Sequence, residues 1–174
     1  DTTPVLNGTL TGPLATGDTV RIYDGATLVG TATVSGTAWT FAPPALANGT
    51  THTYTAVVAD AAGNEGTPSA GFALTVDTVA PVQTVAIASY ADNAGGTVGN
   101  FGSGVPTDDT TPVLNGTLSA PLGAGEVVRI YEGSTLVGTA TVNGNTWSFA
   151  TPALADGSIH TYTAVVADAA GNQG

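Results

Sequence analysis

The chain has 174 residues, 42% of them hydrophobic, which is enough for a buried core and too apolar for a disordered segment. Charge is scarce and one-sided: thirteen Asp and Glu face two Arg and no Lys, for a net −11, so nucleic acid and anionic membrane surfaces are poor partners. The absence of Cys excludes disulfides, thiolate catalysis and Cys-zinc sites, and no apolar run approaches the length of a membrane-spanning helix, so no membrane insertion is expected.

Gly and Pro interrupt the chain too often for a long helical stripe, whereas strand signals are frequent. Thr19–Tyr23 alternates, with Val20 and Ile22 on one face. After an Asp24-Gly25 turn, Leu28 to Val34 reads as one strand; after a Ser35-Gly36 turn, Trp39–Phe41 follows. His52–Val58 puts Tyr54, Ala56 and Val58 inward, and Phe72, Leu74 and Val76 line one face of a further strand. Beyond the break at Ala80-Pro81, Val85 to Ala91 makes one more, and Gly95–Asn100 reads as a flexible loop. Short strands at about ten-residue spacing, punctuated by Gly and Asn turns, predict an all-β sandwich.

The chain repeats itself. Asp1–Leu10 recurs letter for letter as Asp109–Leu118, and the offset of 108 holds without a gap to Gly66 and Gly174, with 49 of 66 positions identical. That period is too long for a solenoid and suits a whole small domain. The expected division is 1–77, a linker 78–80, and 81–174. On this reading the first domain lacks its first strand and the second its last, leaving an open sheet edge in each. Flanking domains, or a strand from another chain, would complete them.

Several segments together resemble the bacterial immunoglobulin-like repeats of very large adhesins. They are Thr107–Pro112, Leu114–Thr117, Val128–Gly133, Leu136–Thr139, Trp147–Phe149, Leu154–Gly157 and Ala167–Asn172, with Val76–Pro81 similar to the interdomain linker; the Gly-rich loop in Gln83–Gly104 departs from the pattern. The resemblance implies tandem immunoglobulin-like Greek-key β-sandwich domains. It implies a calcium-binding extender of a secreted, extracellular RTX-type adhesin at the cell surface, serving cell adhesion or biofilm formation. Its partners would be neighbouring repeats of the same chain in a monomeric tandem array.

The acidic residues supply the candidate metal ligands. Strands alternating up and down are expected to bring Asp1, Asp24 and Asp77 to one end of the first domain, with Asp60 and Asn64 at the other. In the second domain Asp92, Asp108, Asp109 and Glu132 would gather at one end, and Asp168 and Asn172 at the other, across the linker. Two like charges about 4 Å apart repel by roughly 1 kcal/mol in water and about 4 kcal/mol at an effective dielectric of 20. Ca2+, a hard ion taking about 6–8 oxygen ligands in irregular loops, would relieve this better than magnesium or zinc. Asp, Asn and Gly are also ordinary turn residues, and Asn48 and Asp156 are read that way.

No catalytic constellation is evident. His52 and His160 occupy one repeat position with no Ser or Asp motif beside them, no Gly-x-Ser-x-Gly elbow occurs, and Trp39 and Trp147 are expected in cores. The chain is therefore read as a non-enzyme. Tyr54 and Tyr162, each two residues before a small inward residue, suggest the hydroxyl-to-backbone bond of a tyrosine corner; a plain core tyrosine is the alternative. The rival functions are an adhesive module that grips a ligand or glycan and a strand-complemented filament subunit.

Overall fold

The computed structural model describes residues 1–174, and its regular elements are all strands. The chain divides into two compact units, Asp1–Thr78 and Val79–Gly174.

Unit one holds β1 (Leu6–Thr9), β2 (Thr19–Asp24), β3 (Thr27–Thr31), β4 (Thr33–Ser35), β5 (Ala38–Phe41), β6 (Thr51–Ala59) and β7 (Phe72–Thr75). One sheet runs β1-β5-β4 and the other β3-β2-β6-β7, all pairs antiparallel. Alternation in β2 sends Val20 and Ile22 inward, where they pack with Leu6, Ala32 and Tyr54. Burying one such aliphatic side chain contributes about 1.5–3 kcal/mol. Gly25 and Gly36 take positive φ at the tips of two hairpins, as tight two-residue turns require.

Leu28 to Val34, expected as one strand, is two strands in different sheets. The change occurs at Ala32, which is buried and donates its N–H to the Val20 carbonyl at 2.8 Å before the chain crosses to the facing sheet. Continuous β propensity hides such a crossing, because both halves are extended.

Unit two holds β8 (Val85–Asp92), β9 (Gly99–Phe101), β10 (Val113–Leu118), β11 (Val127–Glu132), β12 (Thr135–Thr139), β13 (Thr141–Asn143), β14 (Thr146–Ala150) and β15 (Tyr162–Ala167). Its sheets are β13-β14-β10-β8-β9 and β12-β11-β15. Val128, Ile130 and Val166 are fully buried and pack with Leu114, Leu118 and Trp147.

Gly95–Asn100 is not simply a loop. Gly99–Phe101 returns along β8, pairing Phe101 with Tyr90, whose rings lie 5.7 Å apart. Tyr90 Oη donates to the Val105 carbonyl at 2.9 Å, fastening the segment that leads into β10. The Gly-rich composition masked a strand of only three residues. The tyrosine-corner expectation also fails in unit two: the Tyr162 hydroxyl is buried without a hydrogen-bond partner, and its ring packs against the core cluster.

The units differ at one strand. β10 is paired on both sides, by β14 and β8, whereas its counterpart β1 is paired by β5 alone. Accordingly Pro112, Gly116, Leu118 and Trp147 are buried, while Pro4, Gly8, Leu10 and Trp39 keep partial exposure.

Candidate functional site

Polar side chains concentrate at the ends of β2 and β6 and of β11 and β15. Asp24 ends β2 and His52 lies near the start of β6, and antiparallel pairing of the two strands brings them together. His52 Nδ1 lies 2.6 Å from Asp24 Oδ2, Thr53 N–H donates to Asp24 Oδ1 at 3.0 Å, and His52 Nε2 lies 2.8 Å from Thr50 Oγ1. The His52 bond, helped by the Thr53 amide, holds the Asp24 carboxyl below its ordinary range. Unit two repeats the arrangement: His160 Nδ1 is 2.5 Å from Glu132 Oε1, and Nε2 is 2.7 Å from Ser158 Oγ.

The sequence showed no Ser or Asp beside the histidines, but the fold supplies a hydroxyl and an acid to both. The result has the outline of a nucleophile, base and acid. The Thr50 hydroxyl lies within reach of both the Ala47 carbonyl, at 2.7 Å, and His52 Nε2, and the Ser158 hydroxyl within reach of both the Ala155 carbonyl and His160 Nε2. A nucleophile surrenders its proton to the ring, and here the carbonyl competes for it. The geometry is that of a clamp fixing the loop before β6 and the matching loop before Tyr162.

Asp60 and Asn64 do meet, and each satisfies the other. Asp60 accepts from the Ala62 and Asn64 amides at 2.9 and 2.8 Å and from Asn64 Nδ2 at 2.8 Å. Asp168 accepts from the Asn172 amide at 2.9 Å and from Asn172 Nδ2 at 2.7 Å. Both carboxyls are held low, first by the Asn side chain. Asp1 binds the amide and hydroxyl of Thr3 just before β1. Asp77 follows the buried Val76 at the exit from β7.

The strongest acidic grouping is in unit two. Asp92 and Asp109 are only 5% and 6% exposed. Asp92 accepts from Ala94 N–H at 3.0 Å and from the Thr107 hydroxyl at 2.6 Å. Asp109 accepts from Thr111 and Asn93 amides at 2.8 and 3.2 Å, and its carboxyl is held low chiefly by the Thr111 amide. Asp92 and Asp108 line one cavity of about 350 Å³ with Thr97, Phe101 and Thr107. These donors suit calcium in kind, being hard oxygens without sulfur, but not in number. No three His, Asp or Glu side chains converge anywhere in the chain. The expected gathering of Asp1, Asp24 and Asp77 is not formed, and Glu132 is engaged by His160 instead of by other acids.

Residues 1–78 and 84–174 each match the bacterial Ig-like domain family. The chain belongs to that family. Two consecutive bacterial Ig-like domains thus account for nearly all of its length, in agreement with the all-β two-sheet architecture of both units. No curated protein matches the chain.

One polar contact of these Ig-like domains escaped the sequence reading. Arg21 Nη1 donates to Glu65 Oε1 at 2.9 Å, and Tyr23 Oη donates to the same oxygen at 2.5 Å. The Tyr23 and Arg21 bonds lower the Glu65 carboxyl, and Glu65 raises the Tyr23 hydroxyl. In the second domain Gln173 stands in place of Glu65 and donates to Tyr131 Oη at 2.8 Å. The clue was the period-two placement of Arg21 and Tyr23 on one face of β2, but only the closed 60–64 turn brings residue 65 back to that face.

Proposed function

We propose that the chain is a spacer segment of a secreted bacterial surface adhesin, in which tandem Ig-like domains project an adhesive tip for cell attachment or biofilm formation. The observation that carries this reading is duplication: two Ig-like units follow one another, alike at 49 of 66 aligned positions, including the Arg, Trp, His and Tyr positions. A binding site specialised for one ligand has no reason to recur in successive domains, whereas a spacer gains length from each copy. The hydroxyl–imidazole–acid clamps support the same reading, because they recur at one repeat position in both units, as structural fastenings of a spacer would.

Calcium, taken up by the acidic loops, is the proposed stiffener. Thirteen acids against two Arg favour a divalent cation electrostatically. Asp92 and Asp108, which line one cavity, offer a pair of carboxylates, and the remaining ligands would be backbone carbonyls and water. Thermal unfolding and small-angle scattering of the chain, with millimolar calcium and with chelator, test the proposal. Calcium is expected to raise the melting temperature, as any ligand preferring the folded state does, and to lengthen the particle. Identical melting and identical dimensions in both conditions would remove calcium from the account. The spacer reading itself would fall if the chain bound a glycan or a cell surface directly.

A further inference from the structure

We propose that Asn143-Gly144 is a self-modification site, at which the chain converts its own Asn143 into an aspartyl or a β-linked aspartyl residue. The chemistry needs no enzyme and no cofactor. The Gly144 nitrogen attacks Asn143 Cγ, a new N–Cγ bond closes a cyclic imide, and Nδ2 leaves as ammonia with the proton that Gly144 gives up. Water then opens the ring at either carbonyl. One opening gives an ordinary aspartyl residue; the other routes the backbone through the side chain and lengthens it by a methylene. Both add one negative charge.

Four Asn-Gly steps occur in the chain, and the fold treats them differently. Cyclisation needs an unengaged Gly N–H, an amide side chain free to swing over it, and room for the ring. At Asn48-Gly49 the Gly49 N–H donates to the Val76 carbonyl at 2.7 Å, and Asn48 Oδ1 accepts from Thr78 N–H at 2.8 Å. Asn7-Gly8 and Asn115-Gly116 lie inside β1 and β10, where the Asn Nδ2 atoms donate to the Val5 and Val113 carbonyls at 3.2 and 3.1 Å. An indole covers each of those glycines, so that an added Cβ would strike Trp39 or Trp147. Asn143-Gly144 has none of these restraints. It stands at the tip of the β13–β14 hairpin, where Asn143, Gly144 and Asn145 are all exposed. The Thr146 hydroxyl donates to the Asn143 backbone carbonyl at 3.0 Å and leaves the side chain unengaged, and the Gly144 N–H has no acceptor. A Cβ built on Gly144 would meet nothing within 4 Å. Unit one makes the matching turn with Ser35-Gly36, which has no amide to lose. The product bears on the sheet, because β13 is a three-residue edge strand held by β14 alone, and the Asn145 carbonyl accepts Leu118 N–H at 2.8 Å. A longer backbone at the tip displaces that carbonyl.

The test incubates the whole chain at physiological temperature in mildly alkaline buffer made with heavy-oxygen water, and follows each Asn by peptide mass. Asn143 should exchange its amide for a labelled acid roughly tenfold or more faster than Asn7, Asn48 or Asn115, since a restrained step reacts only in the fraction of molecules that open locally. In strong denaturant the four should react at similar rates, because the restraints belong to the fold. Asn143→Ser, which copies the turn that unit one already uses, should abolish the reaction at this hairpin and leave the melting temperature of unit two near that of the wild type. As the β-linked product accumulates, hydrogen exchange at the Leu118 amide should quicken in the wild type and stay constant in Asn143→Ser. The proposal is overturned if Asn143 in the folded chain reacts no faster than any one of the other three, or if its lead persists unchanged in denaturant. Unaltered exchange at Leu118 in the modified chain would overturn the link to the sheet.

Discussion

His52 bridges Asp24 and Thr50, with its Nδ1 2.6 Å from Asp24 Oδ2 and its Nε2 2.8 Å from Thr50 Oγ1, so one imidazole ties the end of β2 to the loop before β6. His52 and Asp24 are 28 positions apart, and the second unit repeats that separation with His160 and Glu132.

Replacing Asp24 by Asn should lower the stability of unit one at neutral pH by about 1 kcal/mol, the upper range for a partly exposed pair. Because the folded-state carboxyl is held below its ordinary value of 3.8, its contribution is fully present above that pH and is lost as pH falls through the lower folded value. Urea unfolding at a series of pH values checks this. The wild type and D24N should differ at pH 7 and converge in strong acid; a constant gap would contradict the assignment.

Gly8→Ala and Gly116→Ala should separate two equivalent positions. A methyl at Gly116 meets the Ala86 carbonyl as well as the Trp147 indole, and a backbone atom cannot step aside. The nearest atoms to a methyl at Gly8 are those of the Trp39 indole, and that ring borders an open cavity. Overpacking of this kind costs roughly 1–3 kcal/mol. The Gly116 substitution should lie at the top of that range and the Gly8 substitution at the bottom. Denaturant unfolding followed separately through Trp39 and Trp147 reads the two losses.

Glu65 and Gln173 invite an exchange. Glu65→Gln should lower the melting temperature of unit one at low salt, because Arg21 and Tyr23 lose a shared charged acceptor. Added salt should shrink the deficit, since the pair is exposed to solvent. Gln173→Glu should move unit two in the opposite direction, with the same salt dependence. A deficit that persists unchanged in high salt would point to packing instead of charge.

Asp109→Ala should release the segment between β8 and β10 without unfolding the unit. The lost carboxylate leaves the Asn93 and Thr111 amides without their acceptor. Hydrogen exchange should quicken at those two amides, while Val128, Ile130 and Val166 in the core keep their protection. Equal acceleration in the core would show that Asp109 supports the whole sandwich.

Much of the fold was legible because alternation, turn glycines and duplication all report backbone periodicity. Val20 and Ile22 on β2, and the Asp24-Gly25 and Ser35-Gly36 turns, needed no tertiary knowledge. The crossing at Ala32 and the strand Gly99–Phe101 were hidden, since what distinguishes them is which neighbour accepts a hydrogen bond. The polar sites were harder. Asp24 and Glu132 read as free acids suited to a cation, whereas register delivers a histidine to each. A usable signal was present in the duplication, which keeps an acid and an imidazole at matching positions in both units. Asp60 and Asn64 were rightly placed in one turn, but at that spacing they serve one another.

The identity of β1 with the middle of β10 also matters while the chain is still folding. Both carry Leu-Asn-Gly-Thr, and both pair with a neighbour that has Trp at its second position. During refolding from denaturant, β10 can therefore capture β5, or β1 can capture β14, forming an exchanged topology that must come apart before either sandwich closes. Chains emerging in sequence order, with the first sandwich closed before the second appears, avoid that contest; chains released all at once do not.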